Sequence, residues 1–359
     1  MMMTSRRLLI FAVLAVAAVA GAVLLANQRA STSQAQSDLI YPKLKAEADS
    51  VKAIRIYKAG NERALELIRD GANWTVTERH GYPIAAVKAR RLVQALASAK
   101  TVEEKTADPT KYAALSVDDV TEADAKGVRI ELEGPQTPVN LIVGKDGPGG
   151  KSSYIRRNGE TQSWLVNEQL SASPEVRDWL DKDIINVSAD RIQSASIAIE
   201  GQKPYTVAKR SRADADFKVD ALPKGKELSG PSAANNAASA LMSLSLDDVR
   251  PKGDVATGKP AAQATYKTFD GLVVQLQGFK TDDKRYITLT PTYDAALAEQ
   301  FRVQTTTDEK AKSDTSPSAG ANIEEEANKA ATKVANWAYE IPEYKFDAIF
   351  RPMDEMLKK

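Results

Sequence analysis

The hydrophobic pattern changes period several times along the chain. It begins with an unbroken run from Leu8 to Ala26, LLIFAVLAVAAVAGAVLLA, 19 residues without a charge. As a helix rising about 1.5 Å per residue, this run nearly matches a hydrocarbon core of about 30 Å. Arg6 and Arg7 precede it, so the positive-inside rule predicts residues 1–7 in the cytoplasm, a transmembrane anchor at 8–26 and the bulk of the chain across the membrane. A cleaved signal peptide is the competing reading, with an apolar region of about 7 to 15 residues ending near a small-x-small site. Ser33-Gln34-Ala35 is the best such site, but it lies well past the apolar run, which favours a retained anchor. Both readings put the bulk in the same compartment.

Residues 27–50, rich in Gln, Ser, Ala and charge, read as a stalk. From Val51 the period becomes two. Ile54 and Ile56, then Leu65 and Leu67, then Trp74 and Val76 predict three antiparallel strands with turns at Ala59-Gly60-Asn61 and Asp70-Gly71. Ala86 to Lys100 shifts to helical spacing, with Val87, Leu92, Val93 and Leu96 on a face that should cover the sheet, and Lys88, Arg90, Arg91 and Gln94 elsewhere. Further strands are expected at Val128 to Leu132, Val139 to Val143, Tyr154 to Arg156 and Ser163 to Val166, separated by Gly134-Pro135 and the GKDGPGGKS turn.

The pattern then recurs. Ile197-Ala198-Ile199 repeats Ile54-Arg55-Ile56, and Phe217-Lys218-Val219 repeats Trp74-Thr75-Val76, both at an offset of 143. Ala233 to Ser245 answers the helix, with Ala238, Leu241 and Met242 on one face. Gln275 to Gly278 and Tyr286-Ile287-Thr288 answer Leu141 to Gly144 and Tyr154-Ile155-Arg156 at offsets of 134 and 132. The expected fold is α+β: an anchor helix followed by two repeated modules, 51–185 and 190–350, each a mostly antiparallel sheet with a covering helix. Residues 305–335 read as a low-complexity mobile insertion in the second module, and 351–359 as a tail.

Composition narrows the chemistry. The 359 residues carry 49 Lys and Arg against 48 Asp and Glu, a net charge of +1, so no global field favours nucleic acid. There is no cysteine and one histidine, His80, which removes disulfides, thiolate chemistry, most zinc sites and every Ser-His pair not built on His80. GPGGKS at 147–152 fails as a phosphate loop because position 145 is Lys, and it reads as a hairpin turn. His80 reads as a turn residue.

The acidic groups Asp178, Asp181 and Asp183, Asp214 and Asp216, and Glu324 to Glu326 lack an EF-hand pattern and read as solvated faces. Asn73-Trp74-Thr75 and Asn186-Val187-Ser188 match the glycosylation sequon. Trp74, Trp164, Trp179 and Trp337 could form a sugar platform but are expected to pack in the core. No catalytic, cofactor-binding or metal-ligating residue is assigned, and no cofactor is expected.

Several segments together resemble the bacterial domain of unknown function 4340. They are Leu39 to Leu44, Val51 to Ile56, Gly71 to Val76, Tyr82-Pro83, Asp108 to Leu115, Tyr154 to Arg156, Val176 to Leu180 and Trp337 to Ile341. Tyr112 to Val117 departs from the family's aromatic-Gly-Leu turn followed by Pro. The resemblance implies a bacterial inner-membrane protein, single-pass, with a periplasmic bulk. Such proteins are often encoded beside an ABC-type permease, its ATPase and a gliding-motility-type auxiliary protein. It therefore implies a non-enzymatic accessory or scaffold whose partners are envelope proteins, without nucleic acid. A glycan or envelope-ligand binding module is the alternative, and a carboxylate-dependent hydrolase a third reading.

Overall fold

The computed structural model describes residues 38–358 apart from 221, 282 and 309–318. The expected anchor at 8–26 lies outside the described residues. Among those described, no helix is long and apolar enough to cross a membrane. The protein is α+β with mostly antiparallel sheets, in two compact units: residues through Glu78 with Pro83–Trp179, and Leu180–Lys359 with the tetrapeptide Arg79–Tyr82.

In the first unit a short helix, α1 (Leu44–Glu47), leads into β1 (Ala53–Lys58), β2 (Glu62–Asp70), β3 (Asn73–Val76) and β4 (Tyr82–Pro83). The first turn closes with Gly60 and Asn61 at φ of 72° and 55°, a left-handed geometry that favours these two residue types. Helix α2 (Ala86–Ser98) follows, then β5 (Thr101–Glu104), β6 (Val128–Glu133), β7 (Val139–Asp146), β8 (Ser153–Arg157) and β9 (Ser163–Val166). The sheet order is β4-β3-β2-β1-β6-β7-β8-β9-β5. Ile54, Ile56, Leu65, Leu67, Ile130 and Leu141 are fully buried on one side of it. Each contributes about 1.5–3 kcal/mol by leaving water.

Helix α2 buries Ala89, Leu92, Val93, Leu96 and Ala97, but Val87 is 53% exposed. The buried stripe follows i, i+3, i+4, i+7, i+8 from Ala89, and Val87 lies off that phase. The expected stalk also ends earlier than its composition suggests. Ile40, Tyr41 and Leu44 are buried, the Ile40 amide donates to the Ala99 carbonyl at 2.9 Å, and an Arg157 guanidinium nitrogen donates to the Ile40 carbonyl at 2.9 Å. Residues 38–50 therefore belong to the first unit, because three apolar side chains four or fewer positions apart suffice to dock a single turn.

The second unit contains β10 (Asp183–Ile185), β11 (Ile192–Ile199), β12 (Tyr205–Ala208), β13 (Lys218–Asp220), α3 (Pro231–Ala238), β14 (Leu244–Ser245), β15 (Asp248–Pro251) and α4 (Lys252–Val255). It continues with β16 (Ala262–Thr268), β17 (Leu272–Thr281), β18 (Lys284–Tyr293), α5 (Ala295–Asp308), α6 (Ala319–Val334), β19 (Trp337–Glu340) and α7 (Glu343–Ile349). Strands β10 and β14 form a separate pair; the main sheet runs β13-β12-β11-β16-β17-β18-β19-β15. With β4 set aside, the first sheet has the same order of successive strands, and in both units the helix falls between the third and fourth of them.

The registers refine the match. Val143 pairs with Ile155, and Gly278 with Ile287, so Gly278 stands where Val143 does, one place from the sequence offset.

Three segments depart from the pattern the sequence predicts. The second helix stops at Ala238 rather than running to Ser245, and Met242 is 50% exposed beside Ser243 at φ 49°. Residues 319–334 of the expected insertion form α6, which packs against β18 through Ile323, Ala327 and Val334. Residues 351–358 are folded too: Met356 is buried, and Leu357 bridges to Leu228.

Candidate functional site

The residues singled out for chemistry occupy structural positions. Pro148–Gly150 is the turn of the β7–β8 hairpin, with Gly149 and Gly150 at φ of 77° and 69°. A side chain at Gly147 would meet Ser152 Oγ at 2.2 Å. His80 is exposed at φ 54°, and its neighbour Arg79 donates to both carboxylate oxygens of Asp248 at 2.6 and 2.9 Å.

The acidic clusters are tied down. Asp181 meets Lys333 at 3.1 Å, Asp216 accepts from Asn235 at 2.8 Å, and Glu325 meets Lys329 at 2.6 Å. Asp214 accepts the amides of Ser211 and Arg210, which hold its carboxyl below the usual range. Asp183 lies in β10. Among the described residues, no group of three His, Asp or Glu converges as a metal site.

Trp74 and Trp179 are buried, Trp164 lies half-buried in β9, and Trp337 packs edge-on to Tyr82 at 5.1 Å. Trp74 is buried within its sequon, and Asn186 Oδ1 accepts the Ser243 amide.

What the first unit does contain is a groove of about 300 Å3 between α2 and Gln169–Trp179. Leu92, Ala95 and the buried Trp179 ring form its floor. The Trp179 indole N–H donates to the Ser173 carbonyl at 2.9 Å, and the Trp179 carbonyl accepts the Ala85 amide at 2.9 Å, so both ends of the residue are held. One wall is Lys88 and Arg91 of α2, at i and i+3. On the other wall Leu170 and Ala172 turn inward while Ser171 is exposed.

Asp178 accepts from Ser173 Oγ at 2.6 Å, and the Lys88 ammonium is bound to the Asp178 main-chain carbonyl. Neither Lys88 nor Arg91 has a carboxylate partner among the described residues. The sequence showed these two only as part of a polar helix face; nothing in it tied them to Trp179, about 90 positions on.

The sheet faces opposite the buried sides differ in chemistry. In the first unit Arg55 donates to Glu66 at 2.6 Å and to Glu133, Arg63 meets Glu66 at 3.2 Å, Arg129 pairs with Glu131 and also lies 4.1 Å from the Tyr57 ring centre. In the second unit one cross-strand row reads Asp220, Thr206, Ser196, Thr265, Gln275, Thr290, with 2.8 Å between the Ser196 and Thr206 hydroxyls. A shallow depression of about 280 Å3 opens on it.

The structure thus defines an antiparallel α+β protein whose two units share one strand order and whose candidate sites are surfaces and a groove. Residues 74–268, more than half of the chain, match the family described as Domain of unknown function (DUF4340), and the chain belongs to that family. No curated protein and no solved structure matches it.

Proposed function

We propose that this protein is a non-enzymatic, membrane-anchored scaffold of the bacterial envelope. Residues 8–26 form its single span, its N-terminus is cytoplasmic and its bulk periplasmic, and its partners are the permease and auxiliary subunits of an ABC-type transport complex. Its two units are copies of one module. The carrying observation is the shared strand order combined with divergent faces, a cross-strand ion-pair network in the first unit and a row of hydroxyls and an amide in the second. Divergence concentrated on surfaces fits copies that contact different partners. The partner class rests on family resemblance, and the orientation on Arg6 and Arg7.

The test is purification of the full-length protein from native membranes in mild detergent, beside a version beginning near Asn27, with co-purifying proteins identified by mass spectrometry. Recovery of permease and ATPase subunits supports the reading, and recovery of nothing specific refutes it. The hydroxyl and amide row of the second unit, with Asp220 at its end, favours one further reading, a glycan ligand. Calorimetry with soluble cell-wall fragments tests that, and absence of heat at saturating fragment counts against it.

A further inference from the structure

We infer that the α2 groove of the first unit receives an extended, carboxylate-bearing segment of a partner protein. This rests on the scaffold reading and gives one of its contacts a chemistry. Three observations converge. The floor is apolar and fixed, since Trp179 is hydrogen-bonded at its indole and at its main chain. The second wall belongs to no ladder, because the chain leaves the sheet at Val166 and re-enters a strand only at Asp183. The charge is in excess on one side: among the described residues Lys88 and Arg91 stand on the helical wall without carboxylate partners, against the single Asp178 carboxylate, which accepts from Ser173.

Lys88 and Arg91 lie three residues apart, about 4.5 Å along the helix axis. In an extended peptide, side chains on one face recur every 6.4–6.8 Å or so, a mismatch within reach of two long, flexible basic side chains. A segment alternating apolar and acidic residues would therefore set its apolar side chains on Leu92, Ala95 and Trp179 and its carboxylates at the basic rim. A basic segment would be repelled.

The test uses the full-length protein in detergent and two fluorescein-labelled octapeptides, one alternating valine and glutamate, the other valine and lysine, read by anisotropy. The acidic peptide is expected to bind saturably and to weaken with salt; the basic one is not expected to bind. Arg91→Glu, at an exposed position, is expected to weaken the acidic peptide about tenfold and to let the basic one bind, a swap that loss of folding cannot produce. Ala95→Trp, which fills the groove, is expected to abolish both.

Equal binding of the acidic peptide to the wild type and Arg91→Glu overturns the inference, as does displacement by inorganic phosphate, which would mark a simple anion site. If Arg91→Glu leaves co-purification of the envelope partners intact and no peptide binds, the groove inference falls while the scaffold stands. If the charge swap occurs and no partner co-purifies, the reverse holds.

Discussion

Arg191 grips Glu326 with both terminal guanidinium nitrogens, at 2.9 and 3.0 Å, while its Nε donates to Asp270 at 2.8 Å. This one side chain, just before β11, fastens α6 to the β16–β17 turn. Burial alone would lower the Arg191 pKa, but the bonds to Glu326 and Asp270 outweigh it and hold the pKa above the ordinary arginine value. Glu326→Ala is expected to cost about 1–2 kcal/mol, toward the lower end because the Glu326 side chain is 37% exposed. Hydrogen exchange is the check: α6 amides should exchange faster while β1 and β6 are unchanged. Unaltered α6 protection would show that Ile323, Ala327 and Val334 hold the helix without the ion pair.

Two glycines should respond differently to alanine. A Cβ at Gly127 would stand 2.2 Å from the Ser116 carbonyl oxygen, in a turn where Ser116 has φ 58°, so Gly127→Ala should cost about 1–3 kcal/mol through overpacking. Gly149 faces open space at φ 77°, and Gly149→Ala should cost only about 1 kcal/mol, from backbone strain. Urea unfolding of each variant measures the difference. Equal losses would mean the Ser116 turn yields freely.

Tyrosine ionisation should be delayed. Burial, the largest influence on each, pushes Tyr41 and Tyr205 up to about 12 from the ordinary 10.0, and pushes the fully buried Tyr266 higher still. The folded state keeps these protons where the unfolded chain loses them, so the stability they provide is intact below pH 10 and falls as pH rises from there toward the folded values. A phenolate absorbance titration should show a late phase, from which Tyr41→Phe and Tyr205→Phe each remove amplitude. A single transition near 10 would contradict their burial.

His80 tests the reading of its turn. Held exposed at φ 54°, it should gain about 0.5–1 kcal/mol on replacement by glycine, with co-purification of envelope proteins unchanged. Loss of co-purification in a folded His80→Gly variant would give this residue a role beyond the turn.

Much of the sheet was legible because neighbouring residues decide it. Period-two runs located β1, β2, β3 and β6 to β9, with Ser163 to Val166 matched end for end, and left-handed residue types marked the Ala59–Asn61 turn. The repeated order of elements was legible for the same reason. What failed lay in weak local patterns. Thr101–Glu104 and Asp248–Pro251 are short and polar, and become strands by pairing with β9 and β19, tens of residues away. In 319–334 three apolar side chains among charges looked like low complexity until β18 supplied a surface for them. The candidate groove was least legible, since Lys88 and Arg91 come from a helix and Trp179 from a distant loop.

The sequence by itself determined the apolar run at 8–26, the alternation that makes most of the strands, the recurrence of the pattern and the absence of cysteine chemistry, all properties of adjacent residues or of composition. Only the tertiary structure decided that both units share one strand order, that Arg191 meets Glu326 and that an apolar floor lies beside two basic side chains. Pairing register and packing depend on residues far apart in the chain, and those separations close only when the apolar faces leave water together.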